Sequence, residues 1–348
     1  MKTKKIITIS QKRILISKPT ALGDVMVALP MATLLKKMDP TCHISFLGRK
    51  YTRDLIEHYQ DVDQFLDWEE LKDLPDDAAA KQLAQHNIDV CLHITPNKHI
   101  MRIAKLAKIP VRIGTLRRWY GLLYCNHWMS IRRKNALLHE AQLDLQMLGL
   151  LGGKRIYSLH ELAQNYRFKT LPALPRVVQE QLDPKRFRLF IQPRTHGQLQ
   201  GHAWNWSLGH FTQLIRQLPV DQFQVLITGG AAEGKFLREE GFFSEPGMLD
   251  LCGKLTIAEL LHCLRQGNGL ISASTGPMHF AAALGIPVLG LFPPMRPYNS
   301  LRWGPVGQRA EALEPLWDCS AIHRPAQCNC IESITPDQVY EVVQRWNK

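Results

Sequence analysis

The chain has 348 residues, 45% hydrophobic and 21% charged, with a formal net charge of +12. That composition excludes a disordered or fibrous protein, and the length exceeds what one hydrophobic core ordinarily supports, so two domains are expected. No apolar run reaches the roughly 18–20 residues of a membrane span, and the opening MKTKKIITIS lacks an apolar signal core and a cleavage site, so export is not expected.

Short aliphatic runs alternate with helical segments along nearly the whole chain, the pattern of parallel sheets covered by helices. In the first half, strands are expected at 13–17, 43–47, 89–94 and 111–114, and helices at 24–37, 98–107 and 136–148. The first strand runs into Lys18-Pro19-Thr20-Ala21-Leu22-Gly23-Asp24. Gly23 permits a tight turn, and Asp24 opens the helix, where amide groups and the helix dipole favour a carboxylate. On physics alone Asp24 reads as a helix cap. No G-x-G-x-x-G follows this strand, which removes the main support for hydride transfer.

Charge is unevenly placed in this half. Residues 54–77 hold ten acidic residues and one Lys, whereas 98–134 hold ten Lys or Arg and no Asp or Glu. This reads either as solvated helix faces or as a positive face for an anionic partner. Trp119, Tyr120, Leu122, Leu123 and Trp128 interleave the basic residues, and no nucleic-acid motif accompanies them. An anionic membrane or a phosphorylated glycolipid is the expected partner, and nucleic acid is not.

Pro172, Pro175 and Pro184 mark the connection to a second half in which the pattern restarts. Strands are expected at 188–192, 224–228, 249–252, 269–272 and 288–292, with helices at 208–217, 257–265, 277–284 and 336–346. Open α/β sheets bind ligands outside the carboxyl ends of their strands, so the turns there are the candidate sites. After the first strand of this half, Arg194 offers a fork to phosphate and Thr195 a hydroxyl. In VLITGGAAE the paired glycines either bring backbone close to a ligand, with Glu233 accepting from a ribose diol, or form a sterically tight turn. In GLISASTGPMHF the strand ends at Ser274 and Thr275 and a helix opens at Gly276-Pro277, a ready anion site. His279 faces phosphate or sugar, or fills a buried contact.

Most of the eight cysteines lie in apolar stretches, so no disulfide framework is expected. Cys319, His323, Cys328 and Cys330 cluster in sequence, but C-x8-C-x-C is not a usual paired-ligand spacing and no metal is expected.

Together these segments resemble glycosyltransferase family 9, the heptosyltransferases of lipopolysaccharide core assembly. KPTALGDVMVALPMATLLK, VRIG at 111–114, HEAQLDLQMLGL, TGGAAE and STGPMHFAAALGIPVLGLFPPMRP look like the family's successive landmarks, over most of the chain. The resemblance implies an α/β chain of GT-B type, two Rossmann-like doubly wound parallel-sheet domains facing across a cleft. Residues 1–175 would form the N-terminal acceptor-binding domain and 176–348 the C-terminal nucleotide-sugar-binding domain, with the last helix, 336–346, able to pack back on the first. It implies inverting transfer of a heptose from ADP-heptose to a lipopolysaccharide inner-core or related glycolipid acceptor. The protein would be cytoplasmic and peripheral to the inner face of the cytoplasmic membrane, with no cofactor and no metal.

Asp24 would be the general base, taking the acceptor hydroxyl's proton. The donor would be held by Arg194, Thr195, Thr228, Gly229, Glu233, Leu255, Ser274, Thr275, Gly276, Pro277, Met278 and His279. The acceptor would meet Lys18, Thr20, Gly23, Arg117, Arg118, Arg132 and Arg133. Two departures stand out: Ser274 replaces the family's Asp, and HAWNWSL sets Trp204 at the Lys position and Ser207 at the Pro position. The alternatives are a nucleotide-sugar epimerase, which would convert donor without acceptor, and a non-catalytic basic protein docking on a membrane or polyanion.

Overall fold

A computed structural model describes residues 6–133, 137–193, 205–320, 322–323 and 328–347. The chain divides into two units, Met1–Thr170 and Leu171–Lys348. The first carries β1 (Arg13–Ser17), β2 (His43–Gly48), β3 (Gln64–Asp67), β4 (Val90–His93), β5 (Val111–Thr115) and β6 (His127–Met129). The second carries β7 (Phe187–Gln192), β8 (Phe223–Ile227), β9 (Met248–Asp250), β10 (Gly269–Ala273), β11 (Val288–Leu291) and β12 (Ala310–Leu313).

Both sheets have six strands, ordered β3-β2-β1-β4-β5-β6 and β12-β11-β10-β7-β8-β9, and their paired strands run parallel. Counted from each unit's own first strand, the two orders are the same. This is the expected α/β class with two Rossmann-like sheets. The central strands read as continuous apolar runs because helices cover both faces. Val90–His93, Phe223–Ile227 and Gly269–Ala273 are buried at every position.

Strand order reverses between β1 and β4 in one sheet and between β7 and β10 in the other, where a doubly wound sheet opens its ligand crevice. At these two points the terminal pairs are Ser17 with His93 and Gln192 with Ser272.

The helix expected at 24–37 is two, Leu22–Ala28 and Pro30–Met38. Leu29 keeps helical dihedrals, so the break comes from the N–H that Pro30 lacks. The helix Pro336–Trp346 belongs to the second unit. Its buried Val339, Val342 and Val343 join the second unit's core, against the helix Leu208–Gln217. That core also holds Trp206, whose indole N–H donates to the carbonyl of Ile334 at 2.7 Å.

Candidate functional site

In the first unit, β1 ends in a turn that enters the helix Leu22–Ala28 at Ala21. Ala21 occupies the N-cap position without a side-chain cap bond, and Asp24 is the third residue of the helix, an acidic group in its first turn where the helix dipole favours a carboxylate. Val25 to Leu29 are fully buried, whereas Asp24 is half-buried at the start of the helix. Tyr51 lies close by and donates its hydroxyl to the carbonyl of Thr20 at 3.3 Å. Burial raises the Tyr51 phenol, Arg49 opposes this, and the Asp24 carboxylate adds to it.

Beside this turn lie three buried polar atoms, Ser17 Oγ, Thr20 Oγ1 and His93 Nε2, with no hydrogen-bond partner among the described residues. Buried polar groups are nearly always paired, so such a cluster at a switch point is what a ligand would complete. Burial, with Arg112 adding to it, pushes His93 down to about 3, which keeps the imidazole neutral. Ser17, Tyr51 and His93 escaped the sequence reading. Their one signal was position, since Ser17 and His93 each close an apolar strand.

Two expected acceptor ligands have carboxylate partners within the first unit. Lys18 is fully buried in an ion pair with Asp144 on the helix Glu140–Leu145. Arg133 donates to the other oxygen of Asp144 at 2.7 Å and pairs with Glu140. Both cations neutralise internal carboxylates, because a buried charge without a partner is too costly to keep. Arg117, Arg118 and Arg132 are exposed, and Gly23 is half-buried. Trp119, Leu122 and Leu123 are also exposed, and the Lys98 ammonium sits 5.2 Å from the Trp119 ring centre. The acidic and basic stretches partly answer each other, since Asp76 pairs with Arg102 at 2.7 Å and with His99 at 3.1 Å.

In the second unit, Thr275 caps the helix Gly276–Ala283, its hydroxyl accepting from the N–H of Met278 at 3.4 Å. The same hydroxyl meets Ser272 Oγ at 2.7 Å and donates to Gln192 at 3.2 Å, tying the turn to both central strands. This narrows the expected anion site. Pro277 has no N–H and that of Met278 goes to the cap, so Thr275 and Gly276 supply the amides that the helix leaves over. The Met278 side chain is fully buried with its sulfur beside Gly290, and His279 is buried too, while Ser274 stays half-buried.

Glu233 folds back and accepts from the N–H of Gly230 at 2.6 Å, a cap on the helix Ala231–Glu239. A Cβ at Gly229 would sit 2.9 Å from that carboxylate, so the glycine makes this turn possible. Thr228 is buried, and its hydroxyl has no partner among the described residues. Leu255 is half-buried just before Thr256 caps the helix Ile257–Arg265. Arg194, Thr195 and Trp204 lie outside the described residues.

A hollow of about 390 Å³ lined by Phe187, Gly267, Pro287, Arg309 and Trp346 opens at the amino ends of β7, β10, β11 and β12. Ligands of open α/β sheets bind at the opposite edge, so the candidate site stays at the carboxyl-end turns. Cys319, His323, Cys328 and Cys330, where no metal is expected from the sequence, converge with ligand atoms all within 4.8 Å of one another, a group able to hold a metal ion. No helix among the described residues is long and apolar enough to cross a membrane.

Residues 77–329 match the family model of glycosyltransferase family 9 (heptosyltransferase). A Haemophilus influenzae protein provisionally named a glycosyltransferase is 24% identical over 318 residues, covering 85% of this chain and 86% of its own length. A family 9 glycosyltransferase from Veillonella parvula shares the fold with a TM-score of 0.81 at 17% identity, over 99% of each chain. The E. coli ADP-heptose LPS heptosyltransferase II superposes with a TM-score of 0.72 at 19% identity, covering 96% of this chain and 98% of the other.

Proposed function

The chain belongs to glycosyltransferase family 9, and on that premise we propose that it moves a heptose from ADP-heptose to a lipopolysaccharide inner-core or related glycolipid acceptor, with inversion. It is a glycosyltransferase, which displaces the epimerase and non-catalytic alternatives. The observation that carries the mechanism is the placement of Asp24. It is a partly exposed carboxylate on the first turn after β1, in a helix whose following residues are all buried.

Asp24 takes the proton of the acceptor hydroxyl while that oxygen forms its bond to the anomeric carbon. The bond from that carbon to the nucleotide diphosphate breaks, and the leaving group carries away the electron pair. In the second unit the N–H groups of Thr275 and Gly276 and the hydroxyl of Ser274 meet the diphosphate, helped by the helix dipole. Arg194 and Thr195 add charge and a hydroxyl, Thr228, Leu255 and His279 line the donor, and Glu233 meets its ribose. Thr20 and Gly23 border the acceptor hydroxyl, and Arg117, Arg118 and Arg132 hold the acceptor's phosphates. The exposed Trp119, Leu122 and Leu123 rest at the inner face of the membrane.

Asp24→Asn tests the base. Its kcat is expected to fall about a hundredfold or more, with ADP-heptose affinity by calorimetry unchanged. An unchanged kcat rejects Asp24 as the base.

A further inference from the structure

The four side chains Cys319, His323, Cys328 and Cys330 lie outside both switch points, in the segment after β12. Cys319 Sγ is 3.4 Å from Cys328 Sγ, and Cys330 Sγ is 3.4 Å from His323 Nδ1. The backbone brings this about locally. The N–H groups of Ile322 and His323 both donate to the carbonyl of Cys319, at 3.0 and 2.9 Å, so the turn folds His323 back beside Cys319. Cys330, which supplies the last sulfur, opens the short helical turn Cys330–Ser333.

We propose that these residues form a structural zinc site. Three thiolates and one imidazole are a usual zinc set, and four protein ligands close the tetrahedron, which suits a structural rather than a catalytic ion. Zinc bonds of about 2.3 Å to sulfur and about 2.0 Å to nitrogen place neighbouring ligand atoms about 3.5–3.8 Å apart in a tetrahedron. The two 3.4 Å separations need to open by a few tenths of an ångström, and the wider ones, none above 4.8 Å, to close by at most about 1 Å. A disulfide would instead draw Cys319 and Cys328 to about 2.05 Å and leave Cys330 and His323 without a role. Packing of thiols as small hydrophobes explains Cys319 and Cys328 beside Met295 and Tyr298. It gives no reason for an imidazole nitrogen to turn onto a third sulfur.

The site would fix more than its own loop. The N–H of Cys319 donates to the carbonyl of Pro294 at 2.9 Å, and that of Arg296 to Ser320 Oγ at 2.8 Å. The ion would therefore clamp residues 294–298, which follow β11, the strand beside β10 in the sheet. Because such a site is not preformed in the unfolded chain, binding the ion adds to folding stability.

The test is elemental analysis of the full-length protein, expressed with zinc and iron both supplied and purified without chelator. The proposal expects about one zinc per chain in the wild type and at least about a tenfold loss of bound zinc in Cys328→Ser and Cys330→Ser. His323→Cys should keep the zinc, since four thiolates also bind it tetrahedrally. A strong chelator should lower the melting temperature of the wild type and of His323→Cys. Metal-free wild type, iron in place of zinc, or a Cys319–Cys328 disulfide in intact-mass analysis would each overturn the proposal. If the serine variants do not fold, the metal content of the wild type and of His323→Cys still decides.

Discussion

His93 shows what burial does to a single ionisable residue. Its side chain closes β4 with no exposure, and burial holds it near 3 against an ordinary 6.5. Between those values the unfolded chain binds a proton that the native chain refuses, so native stability falls as pH is lowered through the window. The slope from one such group is at most about 1.4 kcal/mol per pH unit. Urea unfolding at about pH 7 and about pH 5 should show the wild type losing more stability than His93→Leu. Equal losses would mean that His93 takes up its proton in the native state as readily as in water. Asp24 makes the complementary case. Nothing in the local sequence separates a structural carboxylate from a base, and the structure sets Asp24 in the first turn of a helix that starts at Leu22, so the Asp24→Asn assay is what separates them.

Between elements, the ion-pair network of Lys18, Asp144, Arg133 and Glu140 joins the turn after β1 to the helix Glu140–Leu145. Lys18 and Asp144 are both fully buried, so neither charge tolerates loss of its partner. Lys18→Met is expected to cost about 3–5 kcal/mol in denaturant unfolding. A loss below about 1 kcal/mol would show that Asp144 is satisfied by Arg133 alone. A role for Lys18 in holding the acceptor would instead leave stability intact and raise the acceptor KM. At the second unit's switch point, the turn after β10 is held by neutral hydrogen bonds among Ser272, Thr275 and Gln192. That leaves the helix start uncharged, which suits an anion.

At the scale of the whole molecule, one topology occurs twice, and each copy keeps its polar turn at the reversal of strand order. Some of the 43 Lys and Arg side chains pair with carboxylates of the same unit, at Asp76, Asp144 and Glu140, while Arg117, Arg118 and Arg132 are displayed at the surface. Each basic residue at an anionic surface contributes about 1 kcal/mol, so Arg117→Glu with Arg118→Glu should weaken binding to anionic vesicles at least about tenfold. Acceptor use should fall with it, ADP-heptose binding should not, and added salt should weaken the wild type in the same way. Vesicle binding unaffected by the reversals would remove this face as the docking surface.

The sequence alone determined the central strands, the Thr275-Gly276-Pro277 helix start and the family. Each of these is written locally, in an apolar run buried on both faces or in cap chemistry within a few residues. The short edge strands β3, β6 and β12 were illegible, because an edge is paired on one side only and QFLD, HWM and AEAL carry too little apolar signal. Tertiary structure alone decided which charges are free. Lys18 finds Asp144 across 126 residues, and Thr275 finds Gln192 across 83. It also decided that an irregular spacing of three cysteines and a histidine closes into one cluster. Partnership between side chains depends on distance in space, and no local pattern encodes that until the chain has folded.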